Sequence, residues 1–338
     1  MKQQHSSTIV DIAEELHVSP STVSRALKNN PHISQKTKDK VKKMAQKMGY
    51  RRNSLAAGLR SKKSDIIGLI VPRVSMFFQS TIVTAIQNTI HASGYNVIVC
   101  QSNDSVELEK ELVNTLFDSR VDGVIVSSTM FTEDFSHFDI FTKHQIPLVF
   151  YDRVPRDFPA RIIRGKDYEG GWDAGNFLVE RGCKNIAFIN GLQTCNLYQD
   201  RGAGFIKALE DNHIKLNKNR EFNHLLTKNN AVKTCEELFS TKPYPDGVFC
   251  ANDTTAIEVH QYVRKLGLKI PEDIKIIGYS NDPRTEIIEP AMTSVEQYPT
   301  DMGAAAAKAI LQLVQQKSVV QKQQEELIPT KLIVRSST

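Results

Sequence analysis

Residues 8–27 read TIVDIAEELHVSPSTVSRAL, and this stretch determines the fold of the first part of the chain. Thr8 is a suitable N-cap for a short helix, because its side chain can accept a hydrogen bond from a backbone N–H of the first turn. After a tight turn, Ser19 can cap a second helix that has Pro20 at its first position, where a missing N–H costs nothing. The stretch therefore predicts two short helices joined by a turn, which is the helix-turn-helix plan.

A third helix is predicted to pack against these two. Ser34 can cap it, and Gly49 suits its C-terminal end. Its apolar residues recur at helical spacing: Val41, Met44, Ala45 and Met48. In a helix-turn-helix the second helix enters the major groove of DNA by its N-terminal end. The side chains at that end are therefore the candidates for reading bases.

The side chains of the second helix that point away from its apolar face are candidate DNA contacts. Arg25 has the chemistry for a bidentate contact to guanine, whereas Thr22 and Asn29 suit phosphate contacts, which position a protein without specifying sequence. The alternative is a small three-helix domain with a solvated lysine face. The candidates are Pro20, Ser21, Ser24 and Arg25 at the groove, and Thr22, Ser24, Asn29, Lys36, Lys38, Lys40, Lys42 and Lys43 for phosphates.

Charge is distributed unevenly along the 338 residues, although the whole chain carries a net charge of only +5. Residues 1–63 contain 14 Lys and Arg against four Asp and Glu, a net charge of +10. The remaining residues carry a net charge of −5. A basic head on a mildly acidic body indicates a module that binds a polyanion, attached to a part with another task.

Several other classes of protein are disfavoured by the sequence. No stretch approaches the ~18–20 apolar residues of a membrane helix, and residues 1–7 lack the apolar segment of a secretory signal. The five cysteines are scattered, which is typical of reduced thiols in a cytosolic protein. Phosphate-loop, metalloprotease and nucleophile-elbow motifs are missing, and the nine histidines lack metal-ligand spacing. We therefore expect a cytoplasmic non-enzyme without cofactor or metal.

Five stretches of the chain closely resemble the start of LacI/GalR-family transcription regulators. They are TIVDIA (8–13), VSPSTVSRAL (18–27), GYR (49–51), NSLAAGLR (53–60) and IGLIVP (67–72). The similarity extends more loosely over the whole chain. It implies a helix-turn-helix DNA-binding domain over 1–52, a hinge helix and linker over 53–63, and an effector-binding core over 64–338. It also implies a homodimer on palindromic operator DNA, since one helix-turn-helix reads one half-site.

The segment 53–59 is predicted to be the hinge. In the family it becomes a helix only on operator DNA and inserts a leucine into the minor groove, and the matching positions here are Ala56 for the contact and Leu59 for the wedge. Arg52 stands where the family usually has proline, so a fixed φ is lost and a phosphate-binding charge is gained. A plain linker is the alternative. The predicted DNA-contacting set is Thr8, Ser19, Pro20, Ser21, Thr22, Ser24, Arg25, Asn29, Arg52, Asn53, Ala56, Leu59 and Arg60.

The body alternates short apolar runs with helical patterns, which predicts parallel sheets covered on both faces. The runs are Ile66–Val71, Asn96–Val99, Gly123–Val126, Leu148–Tyr151, Asn185–Ile189, Gly247–Cys250 and Ile274–Gly278. They are too many for one small sheet, so we expect two α/β lobes with a ligand at the strand ends between them. The resemblance implies lobes like those of a periplasmic sugar-binding protein, which we assign to 64–163 plus 293–325 and to 164–292 plus 326–338, with a closure hinge near Thr293–Gln297.

Polar and aromatic side chains that follow the predicted strands are the candidate effector contacts. Alternatives remain: Asn252 and Asp253 can be a helix cap, Arg201 a surface residue, and one of the two adjacent phenylalanines a core residue. The family often has aspartate where this chain has Ser280, and the loop before Phe77 is one residue short. The candidate set is Phe77, Phe78, Asp152, Arg153, Cys195, Leu197, Arg201, Phe249, Asn252, Asp253, Ser280, Asn281 and Gln297.

These features together predict a transcription regulator, a repressor by resemblance, whose DNA affinity a small ligand controls. A ligand that favours one lobe closure would change the distance between the two hinges and so their pairing on DNA. We expect a sugar or sugar derivative as the ligand, with a purine or nucleoside as the alternative. A free-standing sugar-binding protein and an α/β enzyme are the competing classes. The last residues contain no leucine heptads, so no tetramerising tail is expected.

Overall fold

The computed structural model describes residues 7–50 and 63–338. They divide into two compact units, one that ends at Ser64 and one that spans Asp65–Thr338. Five of the predicted DNA contacts, in the hinge and next to it, lie outside the described residues: Arg52, Asn53, Ala56, Leu59 and Arg60.

Within residues 7–50, the first unit contains three helices, α1 (Ile9–Glu15), α2 (Pro20–Leu27) and α3 (Gln35–Lys47). Each begins with a side-chain cap: Thr8, Ser19 and Ser34 accept hydrogen bonds from N–H groups of their own first turns, and Thr8 and Asp11 form a capping box. The core consists of Ile12, Ala13, Val23, Ala26, Val41 and Ala45. The predicted helix-turn-helix is confirmed.

The second unit alternates strands and helices. The first part of the chain supplies β1 (Ile66–Val71), α4 (Phe77–Ala92), β2 (Asn96–Gln101), α5 (Val106–Asp118), β3 (Gly123–Val126), α6 (Asp139–Lys143), β4 (Leu148–Tyr151) and β5 (Arg161–Gly165). Then follow α7 (Asp167–Glu180), β6 (Ile186–Asn190), α8 (Asn196–Asp211), β7 (Glu221–Asn223), α9 (Lys228–Leu238), β8 (Gly247–Cys250), α10 (Asp253–Lys265), β9 (Lys275–Tyr279), α11 (Arg284–Ile287) and β10 (Thr293–Glu296). The last elements are α12 (Pro299–Gln316), β11 (Gln324–Ile328) and β12 (Lys331–Ile333). Two short 3₁₀ helices, Ser136–Phe138 and Lys218–Arg220, complete it.

The strands form two six-stranded sheets, one for each lobe. The first has the order β11-β5-β4-β3-β1-β2 and is parallel throughout. The second has the order β12-β10-β9-β8-β6-β7, and its strands are parallel except for β12, which runs antiparallel to β10. Two parallel-sheet α/β lobes were predicted, and they are confirmed.

The chain crosses between lobes later than predicted. Residues 293–325 were assigned to the first lobe, but β10 belongs to the second sheet, where Thr293 pairs with Ile277 of β9 in a parallel ladder. Residues from 326 onward were assigned to the second lobe, but β11 continues beside β5 up to Ile328. The ladder hydrogen bonds decide these assignments, because a strand satisfies its backbone groups through the strands beside it. β10 lies between β9 and β12, and β11 pairs with β5 at the edge of the first sheet.

Helices cover both faces of both sheets. In the first lobe, α4 and α12 bury Ile82, Ile86, Met302 and Ile310 against one face, while α5 and the segment Phe138–Phe141 cover the other. In the second lobe, α9 and α10 cover one face and α7 and α8 the other. Parallel strands with both faces buried read as continuous apolar runs, which is why the sequence revealed them.

The crossing of α7 and α8 is unusually close, and glycines permit it. A Cβ atom on Gly171 would lie 2.1 Å from the carbonyl oxygen of Arg201, and one on Gly204 would lie 1.9 Å from that of Tyr168. Any side chain there would force the helices apart. The close crossing brings Asp167, at the start of α7, next to Arg201 in α8.

Candidate DNA-reading helix and ligand cleft

The exposed end of α2 carries a cluster of hydroxyl groups. The Ser19 hydroxyl lies 2.8 Å from that of Ser21 and 2.9 Å from that of Thr22. Ser19 and Ser21 are exposed, while Thr22 is half-buried. Hydroxyl groups at the positive end of a helix suit an anion, so this cluster can bind a DNA phosphate.

Arg25 lies on the exposed side of the same helix, one turn further on. Its side chain forms no ion pair with any other residue in the described ranges 7–50 and 63–338. Pro20 and Asn29 are also exposed, Ser24 is half-buried, and Thr8 is exposed at the start of α1. The structure thus places the described members of the predicted DNA-contacting set on α2, on its flanks and at the cap of α1.

One of the lysines predicted to bind phosphate faces the core of the first unit and not solvent. Lys38 is buried, with 9% of its surface exposed, because it lies one helical turn before Val41 and two before Ala45 on the inward side of α3. Lys36, Lys40, Lys42 and Lys43 are exposed. The helical spacing of Val41 and Ala45 would have identified Lys38 as inward-facing.

A cleft between the two lobes runs along the carboxyl ends of both sheets. One cavity in it has a volume of about 500 Å³, and we call it the Phe77 cavity. The first lobe contributes the loop after β1 and the start of α4, and the second lobe contributes the loops after β8 and β9. Its lining is Ser75, Met76, Phe77, Phe78, Ser80, Asn252, Asp253, Thr254, Ser280, Asp282, Pro283 and Arg284.

The two adjacent phenylalanines have different environments. Phe77 is 40% exposed and presents its ring to the cavity, whereas Phe78 is only 8% exposed and also packs in the core of the first lobe. One ligand-facing and one core-facing phenylalanine was the alternative that the sequence left open. Phe77 is therefore the aromatic surface on which a planar or ring-shaped ligand can stack.

Arg201 is a buried residue, not a surface residue, with 3% of its surface exposed, and it does not line the Phe77 cavity. Its Nε donates to Oδ1 of Asp167 at 2.8 Å, and one terminal nitrogen donates to the carbonyl oxygen of Ala251 at 2.8 Å. The guanidinium carbon lies 3.7 Å from the centre of the Tyr279 ring, and the Tyr279 hydroxyl donates to the same Asp167 oxygen. Asp167 and Tyr279 thus fix the orientation of Arg201.

Asp152 belongs to a second buried network at the end of β4. The side-chain amide of Gln79 donates to it at 3.0 Å, and the Tyr151 hydroxyl donates to the Gln79 carbonyl oxygen at 2.8 Å. Burial raises the pKa of Asp152 to about 6, although the nearby Arg153 charge opposes this. Asp152 also has a positive φ of 59°, a conformation uncommon for residues other than glycine and worth noting at a binding site.

Arg153 is held by an acid that follows β2. It is buried and donates to Asp104 at 2.5 Å, and the other carboxylate oxygen of Asp104 accepts a hydrogen bond from Arg73 at 3.1 Å. Asp104 thereby links the loops after β1, β2 and β4. The Arg153 charge is neutralised by this pair before any ligand arrives.

Asn252 and Asp253 cap and anchor α10, as the alternative interpretation anticipated. Asn252 accepts from the N–H of Thr255 at 2.9 Å. Asp253 accepts from the Asp282 N–H and from the Ser294 hydroxyl, both at 2.7 Å. Burial raises the pKa of Asp253 to about 6. Both residues nevertheless line the Phe77 cavity, so the cap and the cavity wall are the same residues.

Ser280, Asn281 and Gln297 meet where the chain leaves the second sheet. The Ser280 hydroxyl donates to the Gln297 side-chain oxygen at 2.9 Å, and Ser280 has a φ of 117°. The Asn281 amide donates to Glu296 at 2.8 Å, and its oxygen accepts from Arg335 at 2.8 Å. Of the three, only Ser280 lines the Phe77 cavity. Asn281 and Gln297 support it.

Phe249 corrects the predicted site. It is completely buried in the second lobe, with its ring centre 5.4 Å from that of Phe188 and 5.0 Å from that of Phe205. The side chain points to the sheet face that α7 and α8 cover. Proximity in sequence to Asn252 suggested a cleft position, but a central strand directs alternate side chains to opposite faces of the sheet.

Cys195 and Leu197 are buried in a small apolar cluster at the start of α8, together with Tyr198 and Ala251. Burial raises the pKa of the Cys195 thiol to about 11, so it is protonated near neutral pH. The five cysteines are all free thiols. Cys195 therefore contributes packing at this edge of the cleft and not a charge.

Several important residues were missed by sequence reasoning: Gln79, Asp104, Asp167 and Tyr279. Asp104 follows β2 and Asp167 follows β5, so the rule that selected Asp152 would have found Asp104, and would have found Asp167 as well had β5 been recognised. Gln79 lies inside a helix, and no sequence signal marks it. In the described ranges no three His, Cys, Asp or Glu side chains come together as a metal site, and no helix there is long and apolar enough to cross a membrane.

A helix-turn-helix unit followed by a two-lobed α/β body with an interlobe cleft defines a ligand-responsive DNA-binding regulator. Comparison with known proteins specifies the class. Residues 8–53 match the model of bacterial regulatory proteins of the lacI family, and residues 176–338 match that of the periplasmic binding protein-like domain. The chain belongs to the LacI family and is a helix-turn-helix transcription regulator.

Individual relatives agree along the length of the chain. The ribose operon repressor of Halalkalibacterium halodurans is 30% identical over 98% of this chain and 97% of its own. The lac repressor dimer bound to operator and the anti-inducer ONPF superposes with a TM-score of 0.88 at 26% identity, covering 99% of both chains. A LacI family regulator from Enterococcus faecium with bound ribose has a TM-score of 0.70 at 25% identity, covering 81% of this chain and 98% of its own.

Proposed function

We propose that this regulator is a homodimeric, cytoplasmic repressor whose affinity for a palindromic operator is controlled by a neutral sugar bound between the lobes. The observation that carries the proposal is the Phe77 cavity, which lies between the two lobes. The same chain contains the exposed helix α2 of a helix-turn-helix, so one protein can bind both a ligand and DNA. The lac repressor structure contains operator DNA, and the Enterococcus faecium structure contains ribose.

The DNA contacts follow from exposure and charge. We assign base reading to Arg25 with Pro20, Ser21 and Ser24 beside it, and phosphate binding to the exposed hydroxyls and lysines of the first unit. Thr8, Ser19, Thr22 and Asn29 complete the described part of this surface. We assign the hinge contacts to Arg52, Asn53, Ala56, Leu59 and Arg60 by their family positions.

The Phe77 cavity favours an uncharged ligand with many hydroxyl groups. Its charged side chains leave no positive excess to attract an anion, because Arg284 is paired with Asp282 at 2.8 Å and Asp253 adds a second carboxyl. Phe77 offers a stacking surface, while Asn252, Thr254 and Ser280 offer hydrogen bonds. An aromatic platform with surrounding amides and hydroxyls is well suited to a sugar ring.

A homodimer is supported by apolar surface on both lobes. Ile98 and Val99 of the edge strand β2 are 38% and 40% exposed, and Ile287 of α11 is 83% exposed. An exposed apolar edge strand is a surface that proteins usually cover. Ile98→Glu should therefore shift the protein toward monomer in analytical ultracentrifugation, while Ile287→Glu tests the second lobe in the same way.

The absence of enzymatic activity is also part of the proposal. The buried acids Asp104 and Asp167 are held in ion pairs with arginines, and Asp253 accepts hydrogen bonds from the Asp282 N–H and the Ser294 hydroxyl. A catalytic acid or base needs a free proton-transfer position toward a substrate. We therefore expect the ligand to leave the protein chemically unchanged, which mass spectrometry of the recovered ligand would check.

A thermal-shift screen tests the ligand class. A compound that binds only the folded state raises the melting temperature, so sugars, sugar phosphates and nucleosides are compared at equal concentration. We expect an uncharged sugar to give the largest shift and to change the affinity of the full chain for a palindromic duplex with a central CG step. If a nucleoside gives the largest shift, the proposed effector is a purine or nucleoside and not a sugar. If a compound binds but leaves the DNA affinity unchanged, ligand control of DNA binding is contradicted.

A further inference from the structure

A second cavity of about 480 Å³ lies in the same cleft, and none of the predicted effector residues except Cys195 lines it. We call it the Gln199 cavity. The first lobe contributes the loops after β3 and β4, and the second lobe contributes the loop after β6 and the start of α8. Its lining is Ser128, Thr129, Thr132, Glu133, Phe135, Val154, Pro155, Arg156, Asp157, Gln193, Thr194, Cys195, Asn196 and Gln199.

The strand order makes the two cavities neighbours. The Phe77 cavity lies at the ends of β1, β8 and β9, and the Gln199 cavity lies at the ends of β3, β4 and β6. Since β1 pairs with β3 and β6 pairs with β8, the two cavities follow one another along the same edges of both sheets. An elongated molecule that lies along the cleft therefore meets both.

The lining of the Gln199 cavity is rich in uncharged hydrogen-bonding groups. Four hydroxyl and three amide side chains face it: Ser128, Thr129, Thr132, Thr194, Gln193, Asn196 and Gln199. Its charged side chains are two carboxylates and one guanidinium, which give no positive excess for a phosphate or carboxylate. Phe135 adds an aromatic surface. Such a composition selects a neutral ligand with many hydroxyl groups.

The hydroxyl-bearing wall is already fixed by a completely buried carboxylate. Glu109 accepts hydrogen bonds from the Thr129 N–H and the Thr132 hydroxyl, both at 2.8 Å, and lies 3.0 Å from Nε2 of His137. The Thr129 and Thr132 hydroxyls lie 2.9 Å apart. Because these groups are held in place by the protein, a ligand loses little free energy in ordering them.

Both lobes meet at the rim of this cavity, so a ligand there touches both. The Thr194 hydroxyl of the second lobe donates to the Met130 carbonyl oxygen of the first at 3.0 Å. Asn196 accepts from the Val154 N–H at 3.0 Å, and Arg156 donates through Nε to Gln199 at 2.9 Å. These contacts form only when the lobes are close. A ligand that bridges the same walls stabilises that closure.

From this arrangement we propose that the Gln199 cavity is a second subsite, which holds an additional glycosyl unit of an oligosaccharide whose first unit occupies the Phe77 cavity. This inference rests on the proposed function, because it assigns a larger effector to the same cleft. A disaccharide then binds more tightly than either of its monosaccharides, since only the disaccharide uses both sets of hydrogen bonds.

The test compares two substitutions at one exposed position of the wall. Thr194→Trp fills the cavity, whereas Thr194→Val removes the same hydrogen bond to Met130 but leaves the space. The purified full chain and both variants are titrated by calorimetry with glucose, galactose, cellobiose, maltose and lactose, and with glucose 6-phosphate and adenosine. Thr241→Trp, at an exposed position that lines neither cavity, is the control for an added indole.

We expect one disaccharide to bind the wild-type chain at least about tenfold more tightly than its constituent monosaccharides. Thr194→Trp should remove this advantage without changing monosaccharide affinity. Thr194→Val, which gives up one of the seven hydrogen-bonding groups but leaves the space, should lose only part of the advantage, and Thr241→Trp should keep all of it. A monosaccharide that binds as tightly as every disaccharide, with no effect of Thr194→Trp, overturns the second subsite and leaves the proposed function standing. Tightest binding of glucose 6-phosphate also overturns it. If none of the compounds binds, both the subsite and the sugar effector are rejected.

Discussion

The DNA-reading unit and the ligand cleft use their functional side chains in opposite ways. In the first unit Ser19, Ser21 and Arg25 are exposed, and the helices that carry them are held by a separate core. In the cleft Asp152 and Arg201 are buried and tied into hydrogen-bond networks with their neighbours. Substitution of an exposed candidate contact in the first unit should therefore leave the stability of the fold nearly unchanged, whereas substitution of a buried network residue in the second unit should lower it.

The largest expected effect is a loss of stability when the hydrogen-bond network around Arg201 is broken. Arg201→Ala leaves the buried Asp167 without its ion-pair partner, and breaking a buried pair in this way costs about 3–5 kcal/mol of unfolding free energy. Urea denaturation measures it. Arg156→Ala is the matched control, since the Arg156 side chain is 64% exposed beside Asp200 and its loss should cost less than about 1 kcal/mol. Equal losses for the two variants would show that the cleft network carries no special stability.

A smaller effect concerns pH, because burial raises the pKa of Asp152 to about 6 from an ordinary value of 3.8. A carboxyl with a raised pKa in the folded state binds more protons folded than unfolded. Its contribution to stability is complete below about pH 4 and is lost as the pH rises through about 6, at roughly 1 kcal/mol per pH unit. Asp152→Asn should remove this part of the slope.

The measurement is the unfolding free energy of wild type and Asp152→Asn at several pH values between 4 and 7. The difference between the two proteins isolates Asp152 from every other titrating group. We expect the variant to gain stability relative to wild type as the pH rises. A difference that stays constant across this range would contradict the raised pKa of Asp152.

In the first unit the expected effect falls on specificity and not on stability. Arg25→Ala should cost about 1–3 kcal/mol of binding at one base pair and relax the preference there. Because Arg25 is exposed and unpaired within the described ranges, the melting temperature should stay close to that of wild type. Selection from a randomised half-site library measures the preference, and an unchanged preference would exclude Arg25 as a base reader.

The smallest expected effect is on ligand binding, and it concerns an exposed side chain of the cleft. Phe77 is exposed, so it resembles the residues of α2 more than its buried neighbours. Phe77→Ala should weaken ligand binding by about threefold to tenfold, as expected for one lost stacking contact, with little change in unfolding free energy. Phe78→Ala is the contrast, because Phe78 packs in the core and its loss should cost several kcal/mol of stability.

The fold was largely predictable because its central strands are apolar along their whole length. All seven apolar runs became strands, and the capping residues Thr8, Ser19 and Ser34 marked the helices of the first unit. The strands that were missed are β5, β7, β10, β11 and β12. All are short or lie at or near the sheet edges, where polar residues such as Arg161 and Glu325 interrupt the pattern.

The position of the candidate ligand site at the strand ends was predictable, but the hydrogen-bond partners of its side chains were not. Of the residues that strand ends indicated, Asn252 lines the Phe77 cavity, whereas neither cavity is lined by Asp152 or Arg153, which are buried in hydrogen-bond networks. Their partners, Gln79 and Asp104, come from elements far away in sequence, and only the folded chain shows that they meet. The prediction that Phe249 contacts the ligand was wrong for a related reason, because the direction of its side chain depends on which face of the sheet it occupies.

The central claim is that the ligand cleft controls the DNA-reading unit, and one titration tests it most directly. The affinity of the full chain for a fluorescent palindromic duplex is measured at 50 and 200 mM salt, with and without the sugar that gives the largest thermal shift. We predict a steep fall with salt, because lysines and Arg25 displace counterions from phosphates, and at least a tenfold change on adding the sugar. DNA affinity that does not change when the sugar is added would contradict this claim, whatever its dependence on salt.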